Sequence, residues 1–173
     1  MLNSDCPGEQ KMGRVILICG KMCSGKSTYA NSLIKKSPAV LLSLDELTTL
    51  FFGPYGGADH VVILEKARNF LFRKSLEITL AGIDVVLDWG FWKQADRREA
   101  SLFFEGNHVP FEWHYVDASN DACLRNLKKR NREIKAGRHT SAYYFPEEVA
   151  FRFWKEMFEI PTKNEIDVWE SLE

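Results

Sequence analysis

One eight-residue segment constrains this chain more than any other feature of its sequence. Residues 20–27 read Gly-Lys-Met-Cys-Ser-Gly-Lys-Ser, with glycine at the first and sixth positions and a Lys-Ser pair at the end. A largely apolar run, residues 14–19, comes directly before the segment, and a helical pattern, residues 27–36, follows it. A strand, a glycine-rich turn and a helix in this order are typical of a phosphate-binding loop (P-loop). Its glycines let backbone N–H groups approach a phosphate closely.

The residue types of this segment predict a bound nucleoside triphosphate with its metal ion. Lys26 is expected to reach the β- and γ-phosphates, and the hydroxyl of Ser27 is expected to bind Mg²⁺. The sequence therefore predicts a protein that binds ATP and Mg²⁺ and transfers the γ-phosphoryl group. The residues expected to contact the nucleotide are Gly20, Lys21, Met22, Cys23, Ser24, Gly25, Lys26, Ser27 and Thr28.

Length and charge limit the alternatives. The 173 residues, 45% of them hydrophobic, suffice for one domain with a buried core. We predict a flexible leader at residues 1–12 and a single domain at residues 13–173. The net charge of −1 argues against a protein that binds nucleic acid by bulk attraction. No apolar run approaches the roughly 20 residues of a membrane span, and residues 1–12 lack the apolar core of a signal peptide. We therefore expect a cytoplasmic protein without a membrane partner.

Apolar runs alternate with helical patterns along the chain. Predicted buried strands lie at residues 14–19, 40–44, 84–87, 111–116 and 166–169. Predicted helices lie at residues 27–36, 60–81, 93–105, 119–135 and 146–158. This alternation predicts an α/β fold in which helices cover both faces of a parallel sheet.

Two aspartates follow predicted strands. Asp45 comes after the second strand and Asp88 after the third. Because open α/β sheets bind ligands beyond the carboxyl ends of their strands, we expect both carboxylates in one crevice with Lys26. Asp45 is the candidate base for a substrate hydroxyl, and Asp88 is expected to hold Mg²⁺ or to contact the substrate. Capping of the next turn is the alternative role for either residue.

A basic segment predicts a lid over the nucleotide at about residues 125–145. Cations on a mobile lid can stabilise the charge that spreads over the γ-phosphoryl oxygens. Arg130 and Arg132 are the candidates for this role and Arg138 is the third choice, because a planar guanidinium binds two oxygens at once. The alternative for most of these cations is a solvated helix face. The cations of the segment are Arg125, Lys128, Lys129, Arg130, Arg132, Lys135 and Arg138.

Three more residues lie near the expected crevice. Phe91 and Trp92 follow Asp88 closely, so they either line a substrate pocket or pack in the core. Cys23 lies inside the phosphate loop, where converging N–H groups can lower the pKa of a thiol and make it reactive. The alternative for Cys23 is a small filler residue.

Several segments together resemble a family of small AAA-type ATP-binding proteins. These are P-loop kinases similar to the kinase domain of polynucleotide kinase and, more distantly, to zeta toxins, gluconate kinase and shikimate kinase. The resemblance covers about residues 14–168. The residues that carry it are 20–27, Asp45, 86–92, Arg97, 127–131 and 153–159.

The resemblance implies a five-stranded parallel sheet in a nucleoside-monophosphate-kinase-like fold with a helical lid. By position, Asp45 matches the base of polynucleotide kinases, and Arg130 matches a lid arginine. Arg97 stands where relatives often contact substrate or phosphate. Polynucleotide kinases tend to carry arginine where Thr48 stands here, and an arginine is often found at the position of Asn126. These departures favour a smaller acceptor than a polynucleotide.

The leading hypothesis is therefore an ATP- and Mg²⁺-dependent kinase for a hydroxyl group of a small molecule. A kinase for the 5′-hydroxyl ends of RNA or DNA is the second hypothesis. A nucleotide-dependent switch or ATPase that phosphorylates no acceptor is the third.

Overall fold

The computed structural model describes residues 11–55, 60–138 and 141–172. These residues contain a single five-stranded sheet in which every neighbouring pair of strands is parallel. The order of the strands is β2-β3-β1-β4-β5. Their bounds are β1 Val15–Cys19, β2 Ala39–Ser43, β3 Asp84–Asp88, β4 Phe111–Ala118 and β5 Val168–Leu172. All but the last two residues of the predicted leader lie outside the described residues.

Six α-helices and one short 3-10 helix connect the strands within the described ranges. The bounds are α1 Lys26–Lys36, α2 Leu44–Phe52, α3 His60–Leu80, α4 Gln94–Gly106, α5 Asn120–Lys135 and α6 Glu147–Glu156, with the 3-10 helix at Lys163–Glu165. None of these helices is long and apolar enough to cross a bilayer.

The central strand explains why helices cover both faces of the sheet. All five residues of β1 are buried, and they alternate between two separate hydrophobic clusters. Val15, Leu17 and Cys19 belong to one cluster, whereas Ile16 and Ile18 belong to another. Since successive side chains of a strand point to opposite faces, a continuous apolar run requires cover on both sides. The three-layer α/β fold with five parallel strands is confirmed.

The main difference from the sequence-based expectation is an additional helix, α2. The second strand ends at Ser43, whose Oγ accepts a hydrogen bond of 3.3 Å from the backbone N–H of Glu46. This contact caps the first turn of a helix, so Asp45 lies within that turn and not at the strand end itself. The other predicted elements are present, and none of their bounds is shifted by more than three residues.

The register of the sheet brings the functional segments to one edge. Asp88, the last residue of β3, pairs with Ser43 of β2 on one side and with Ile18 of β1 on the other. The phosphate loop, which begins directly after β1, and the first turn of α2 therefore start beside Asp88. A crevice at this edge is the consequence of the parallel topology.

The predicted lid consists of the second half of α5 and the chain up to α6. The side chain of Asn131 donates a hydrogen bond of 2.6 Å to the backbone oxygen of Phe145, which fixes the returning chain to α5. The N–H of Tyr144 donates a bond of 2.8 Å to the oxygen of Pro54, beyond α2. Two residues of this predicted lid, 139 and 140, lie outside the described residues. The segment thus joins the two sides of the crevice.

Candidate phosphoryl-transfer site

The phosphate loop has a shape that its glycines make possible. A Cβ atom at Gly20 would lie only 2.7 Å from the backbone oxygen of Val116 and 2.9 Å from Oγ of Ser24. Gly25, the residue before α1, has a φ of 99°, which is costly for any residue with a side chain. Cys23 also has a positive φ, 63°, although it is not glycine. The loop therefore holds a strained backbone, as is common at ligand sites.

Side chains from three directions hold the loop in place. The backbone oxygens of Lys21, Met22 and Cys23 each accept a hydrogen bond from a side chain. Lys26 Nζ donates to Lys21 at 2.7 Å, Trp154 Nε1 donates to Met22 at 3.1 Å, and Asn126 Nδ2 donates to Cys23 at 3.0 Å. Because three consecutive carbonyl groups are fixed, the peptide N–H groups between them are also fixed in direction. The loop is thus shaped before any anion arrives.

Lys26 and Asp88 form the charged centre of the site. Burial lowers the pKa of the Lys26 ammonium, and the nearby charge of Asp88 opposes that effect. For Asp88, burial raises the pKa, whereas a hydrogen bond from Ser27 and the charge of Lys26 lower it. Each charge therefore supports the other in a poorly solvated place. A strong anion ligand would favour the charged form of Lys26 further.

Asp45 faces the same cavity as Lys26 and Asp88. This cavity has a volume of about 870 Å³, and all three side chains line it. The charge of Asp45 acts on the pKa of Lys26 and also on that of Tyr143, which lines the cavity from the predicted lid. The expected convergence of Lys26, Asp45 and Asp88 in one crevice is therefore present.

Arg130 brings a guanidinium to this cavity from α5. Its Nε and Nη2 are buried, and neither finds a hydrogen-bond partner within the described part of the chain. The guanidinium lies over the ring of Phe145, 5.8 Å from its centroid. Since buried donors are almost always paired in folded proteins, two unpaired donors beside a phosphate loop indicate a place for an anionic ligand.

The second predicted lid arginine lies elsewhere. Arg132 is exposed and does not line the crevice; it borders a separate open groove with Arg125 and Lys128. The reason is helix geometry, because residues two apart on a helix point to different faces. Arg138, the third choice, is also exposed and outside the crevice lining. Of the three arginines, the structure brings only Arg130 to Lys26.

Arg97 is buried among other groups of the protein, away from the crevice in which substrate and phosphate are expected. It is 3% exposed, and its Nε donates a bond of 2.8 Å to Glu165. Its Nη1 donates to the backbone oxygens of Phe91 at 3.2 Å and of Glu159 at 3.1 Å. Arg97 therefore holds the turn after β3 against the start of the last segment of the chain, and it does not line the crevice.

Phe91 packs mainly in the core, whereas Trp92 lines the cavity; these are the two roles that the sequence leaves open. Phe91 is buried, stacks on Trp89 with a centroid distance of 4.7 Å and meets Trp113 edge-on at 4.9 Å. Its ring is therefore mainly part of the core, although it also borders the cavity. Trp92 is only partly buried and meets Phe153 edge-on at 4.2 Å, and both rings line the cavity.

The thiol of Cys23 does not have the lowered pKa that its position in the loop predicts. Burial raises the pKa, and the charges of Arg130 and Lys26 only partly oppose that rise. Since the thiolate is the reactive form, the filler role is favoured over a reactive thiol.

The other loop residues occupy different positions around the site. Met22, Gly25, Ser27 and Thr28 line the cavity, whereas Gly20, Lys21 and Ser24 do not. Lys21 donates a bond of 3.0 Å to Asn120, so its ammonium is turned toward α5. The hydroxyl of Ser24 is buried against Gly20 without a partner in the described ranges.

Sequence reasoning missed several residues of the cavity. Asn126 and Lys129 lie four residues and one residue before Arg130 on α5, and helical spacing from Arg130 could have indicated Asn126. Tyr143 lies outside any periodic element, so no pattern pointed to it. The contribution of α3, with Leu64 and Arg68, depends on how that helix packs and left no local signal.

Comparisons with known proteins agree with this geometry. Residues 15–148 match the model of a family described as AAA domain. An APS kinase of Mycobacterium tuberculosis, solved with AMPPNP and APS, has a similar fold, with a TM-score of 0.64 at 17% identity over 94% of this chain and 90% of that one. A gluconokinase of Sinorhizobium meliloti gives a TM-score of 0.57 at 13% identity, covering 95% and 83% of the two chains.

A third similar structure is Kti12 of Chaetomium thermophilum in complex with ADP-AlF3. Its TM-score is 0.60 at 18% identity, and the match covers 91% of this chain and 88% of that one. No curated protein sequence matches the chain significantly. The family match spans most of the chain and includes the phosphate loop, Asp45, Asp88 and Arg130. The chain therefore belongs to the AAA domain family and has the fold of small P-loop kinases.

Proposed function

We propose that this protein is a phosphotransferase that moves the γ-phosphoryl group of ATP to a hydroxyl group of a small molecule. The observation that carries the proposal is the pair of unpartnered donors on Arg130, in a cavity that also contains Lys26 and Asp45. A protein that only binds nucleotide has no need of a carboxylate beside such an arginine. The kinase folds among the similar structures support the same function class.

The proposed reaction assigns one task to each side chain. Asp45 accepts the proton of the acceptor hydroxyl as that oxygen bonds to the γ-phosphorus, while the bond from the γ-phosphorus to the bridging oxygen breaks and ADP leaves. Lys26 binds phosphate oxygens, and Arg130 offsets the negative charge on the transferred group. Both cations are already in place beside the phosphate loop. The enzyme therefore needs little reorganisation at these two residues during transfer.

Ser27 and Asp88 are the residues proposed to hold Mg²⁺. The residues that the structure describes contain no cluster of three or more His, Cys, Asp or Glu side chains suited to a metal ion. Hydroxyl and carboxylate oxygens beside the phosphate loop fit Mg²⁺, which keeps several waters and shares its remaining positions with phosphates. The hydrogen bond between Ser27 and Asp88 puts the two oxygens next to each other. When bound, the ion supplies positive charge against the phosphate oxygens.

The test compares Asp45→Asn with the wild type in assays with ATP labelled at the γ-phosphate and a library of metabolites. We expect Asp45→Asn to retain ATP binding and to reduce transfer by roughly 10²–10⁴-fold, the usual contribution of a general base. Glu46→Gln is the matched control, because Glu46 is the exposed acid next in the chain and does not line the cavity. Unchanged transfer in Asp45→Asn would exclude the proposed base.

A kinase for RNA or DNA ends is the second candidate, and one observation favours it. An open groove of about 930 Å³ beside the crevice is lined by five cations and only two acids. One of the acids, Glu147, lies 3.3 Å from Lys128. Because cations outnumber acids in the lining, the groove has an excess of positive charge. This candidate requires binding of oligonucleotides that weakens steeply with salt. The cations are Arg125, Lys128, Lys129, Arg132 and Lys135.

A further inference from the structure

One end of the crevice has an apolar, aromatic wall that the chemistry of phosphate does not need. Leu64 of α3, Trp92 after β3, and Phe153 and Met157 at α6 line this end. Leu64 and Trp92 belong to α3 and to the turn after β3, and Phe153 and Met157 belong to the end of α6. Lys26 and Arg130, by contrast, belong to the phosphate loop and α5. A cavity of about 870 Å³ is near the upper size for one small ligand, so it has room for a nucleotide and an acceptor.

The Trp92 ring is fixed before any ligand arrives. It packs directly on Gly90, because a Cβ atom there would lie 2.0 Å from Nε1 of Trp92. The backbone oxygen of Trp92 accepts a bond of 2.9 Å from the N–H of Glu159, and Phe153 meets the ring edge-on. Phe91, the residue before Trp92, has a φ of 42°, a strained value for a residue other than glycine. A rigid flat ring at a cavity wall favours a ligand that can stack on it.

The charges on this wall balance. Arg68 also lines the cavity, and its guanidinium is paired with Glu99 at 3.1 Å and with Asp96 at 4.0 Å. Its buried Nε, however, has no hydrogen-bond partner within the described ranges. The remaining ionisable residues of this end are one cation, Lys93, and one further acid, Glu65. The two cations and two acids of this wall cancel, so the wall has no net charge that would attract an anion. A neutral oxygen of the acceptor can accept a hydrogen bond from Nε of Arg68.

We propose that this aromatic end binds the acceptor, and that the acceptor is a small uncharged alcohol with a flat ring. The proposal rests on the proposed phosphotransferase function and names the chemical class of its second substrate. The ring stacks on Trp92 beside Phe153, and the hydroxyl group extends toward Asp45. Arg97 donates hydrogen bonds to the backbone oxygens of Phe91 and Glu159, which lie on either side of Trp92.

The experiment measures binding of matched probes to the full chain saturated with AMPPNP and Mg²⁺. Uridine and indole-3-ethanol are uncharged alcohols with flat rings. Uridine 3′-monophosphate and indole-3-acetate carry the same rings with an anionic group. Ribose is an uncharged alcohol without a flat ring. We expect the two ring alcohols to bind at least roughly tenfold more tightly than ribose, which cannot stack on Trp92. They should also bind more tightly than the two anionic probes, whose charge meets no net positive charge on this wall. Trp92→Ala should remove the preference over ribose and leave AMPPNP binding unchanged.

Phe151→Ala is the control, because Phe151 lies on α6 beside Phe153 but does not line the cavity. Gly90→Ala is a second probe of the same wall, since the added methyl group must displace the Trp92 ring. Four results would overturn the proposal: equal or tighter binding of the anionic probes, competition between the ring alcohols and AMPPNP, no effect of Trp92→Ala, or no binding of either ring alcohol. Failure of AMPPNP itself to bind would instead refute the proposed function.

Discussion

The sharpest prediction concerns Arg130→Met, which should stabilise the free protein and at the same time impair transfer. Two buried donors of Arg130 lack partners in the described ranges, and each such group costs about 1–3 kcal/mol. Removal of the guanidinium also loses its contact with the Phe145 ring, which is worth about 0.5–1 kcal/mol. The net effect is a stabilisation of about 1 kcal/mol or more, because methionine fills much of the same space.

Two assays check the two halves of this prediction. In a domain of this size, 1 kcal/mol raises the melting temperature by roughly 2–4 °C, which differential scanning calorimetry of the nucleotide-free protein resolves. The loss of one preorganised cation should reduce transfer of the γ-phosphoryl group by roughly 10²–10³-fold. ADP binding should change little, because Arg130 is assigned to the γ-phosphoryl group.

Arg132→Met is the matched control for Arg130→Met. Arg132 lies two residues further along α5, is exposed and borders the separate groove. Its removal should leave transfer to a small acceptor nearly unchanged. A lower melting temperature for Arg130→Met, or an equal loss of transfer in both variants, would refute the reasoning.

Two other substitutions test the loop and the last segment of the chain. Gly20→Ala places a methyl group 2.7 Å from the backbone oxygen of Val116, so ATP binding measured by calorimetry should be lost while Gly106→Ala, at an open position, binds normally. Burial alone would raise the pKa of Glu165, but hydrogen bonds from Arg97 and Thr162 bring it below its ordinary value of 4.5. The carboxylate therefore stabilises the fold above about pH 4.5, and this contribution is lost as the pH falls through the folded pKa. Glu165→Gln should thus unfold more easily than the wild type in denaturant at pH 7, and the difference should shrink in acid; a constant difference would contradict this origin.

Local patterns in the sequence predicted most of the fold. The continuous apolar runs of β1 and β3 reflect burial on both faces, and the phosphate loop followed from its glycines and its Lys-Ser pair. Helix α2 was missed because Thr48 and Thr49 and the aromatic residues after them do not favour a helix. The spacing of Ser43 and Glu46, which matches a helix cap, was the available signal.

The positions of the arginines relative to the crevice depend on tertiary structure that no local pattern shows. Arg130 and Arg132 are equivalent by composition, and only the rotation of α5 about its axis separates them. Arg97 is bound by Glu165, which lies 68 residues away in the sequence, so its burial could not be inferred from its neighbours. The same limit applies to Cys23, because burial raises its pKa more than the nearby cations lower it.

The most direct test of the account is titration calorimetry of ATP at millimolar Mg²⁺ into the wild type and Lys26→Met. Lys26 lines the cavity and holds the loop through the backbone oxygen of Lys21, so the melting temperature of the variant must be recorded beside its binding. We predict a saturable heat for the wild type and no measurable heat for a folded Lys26→Met. An absence of heat in the wild type, or equal affinity in the two proteins, would contradict the claim that residues 20–27 bind the phosphates of ATP.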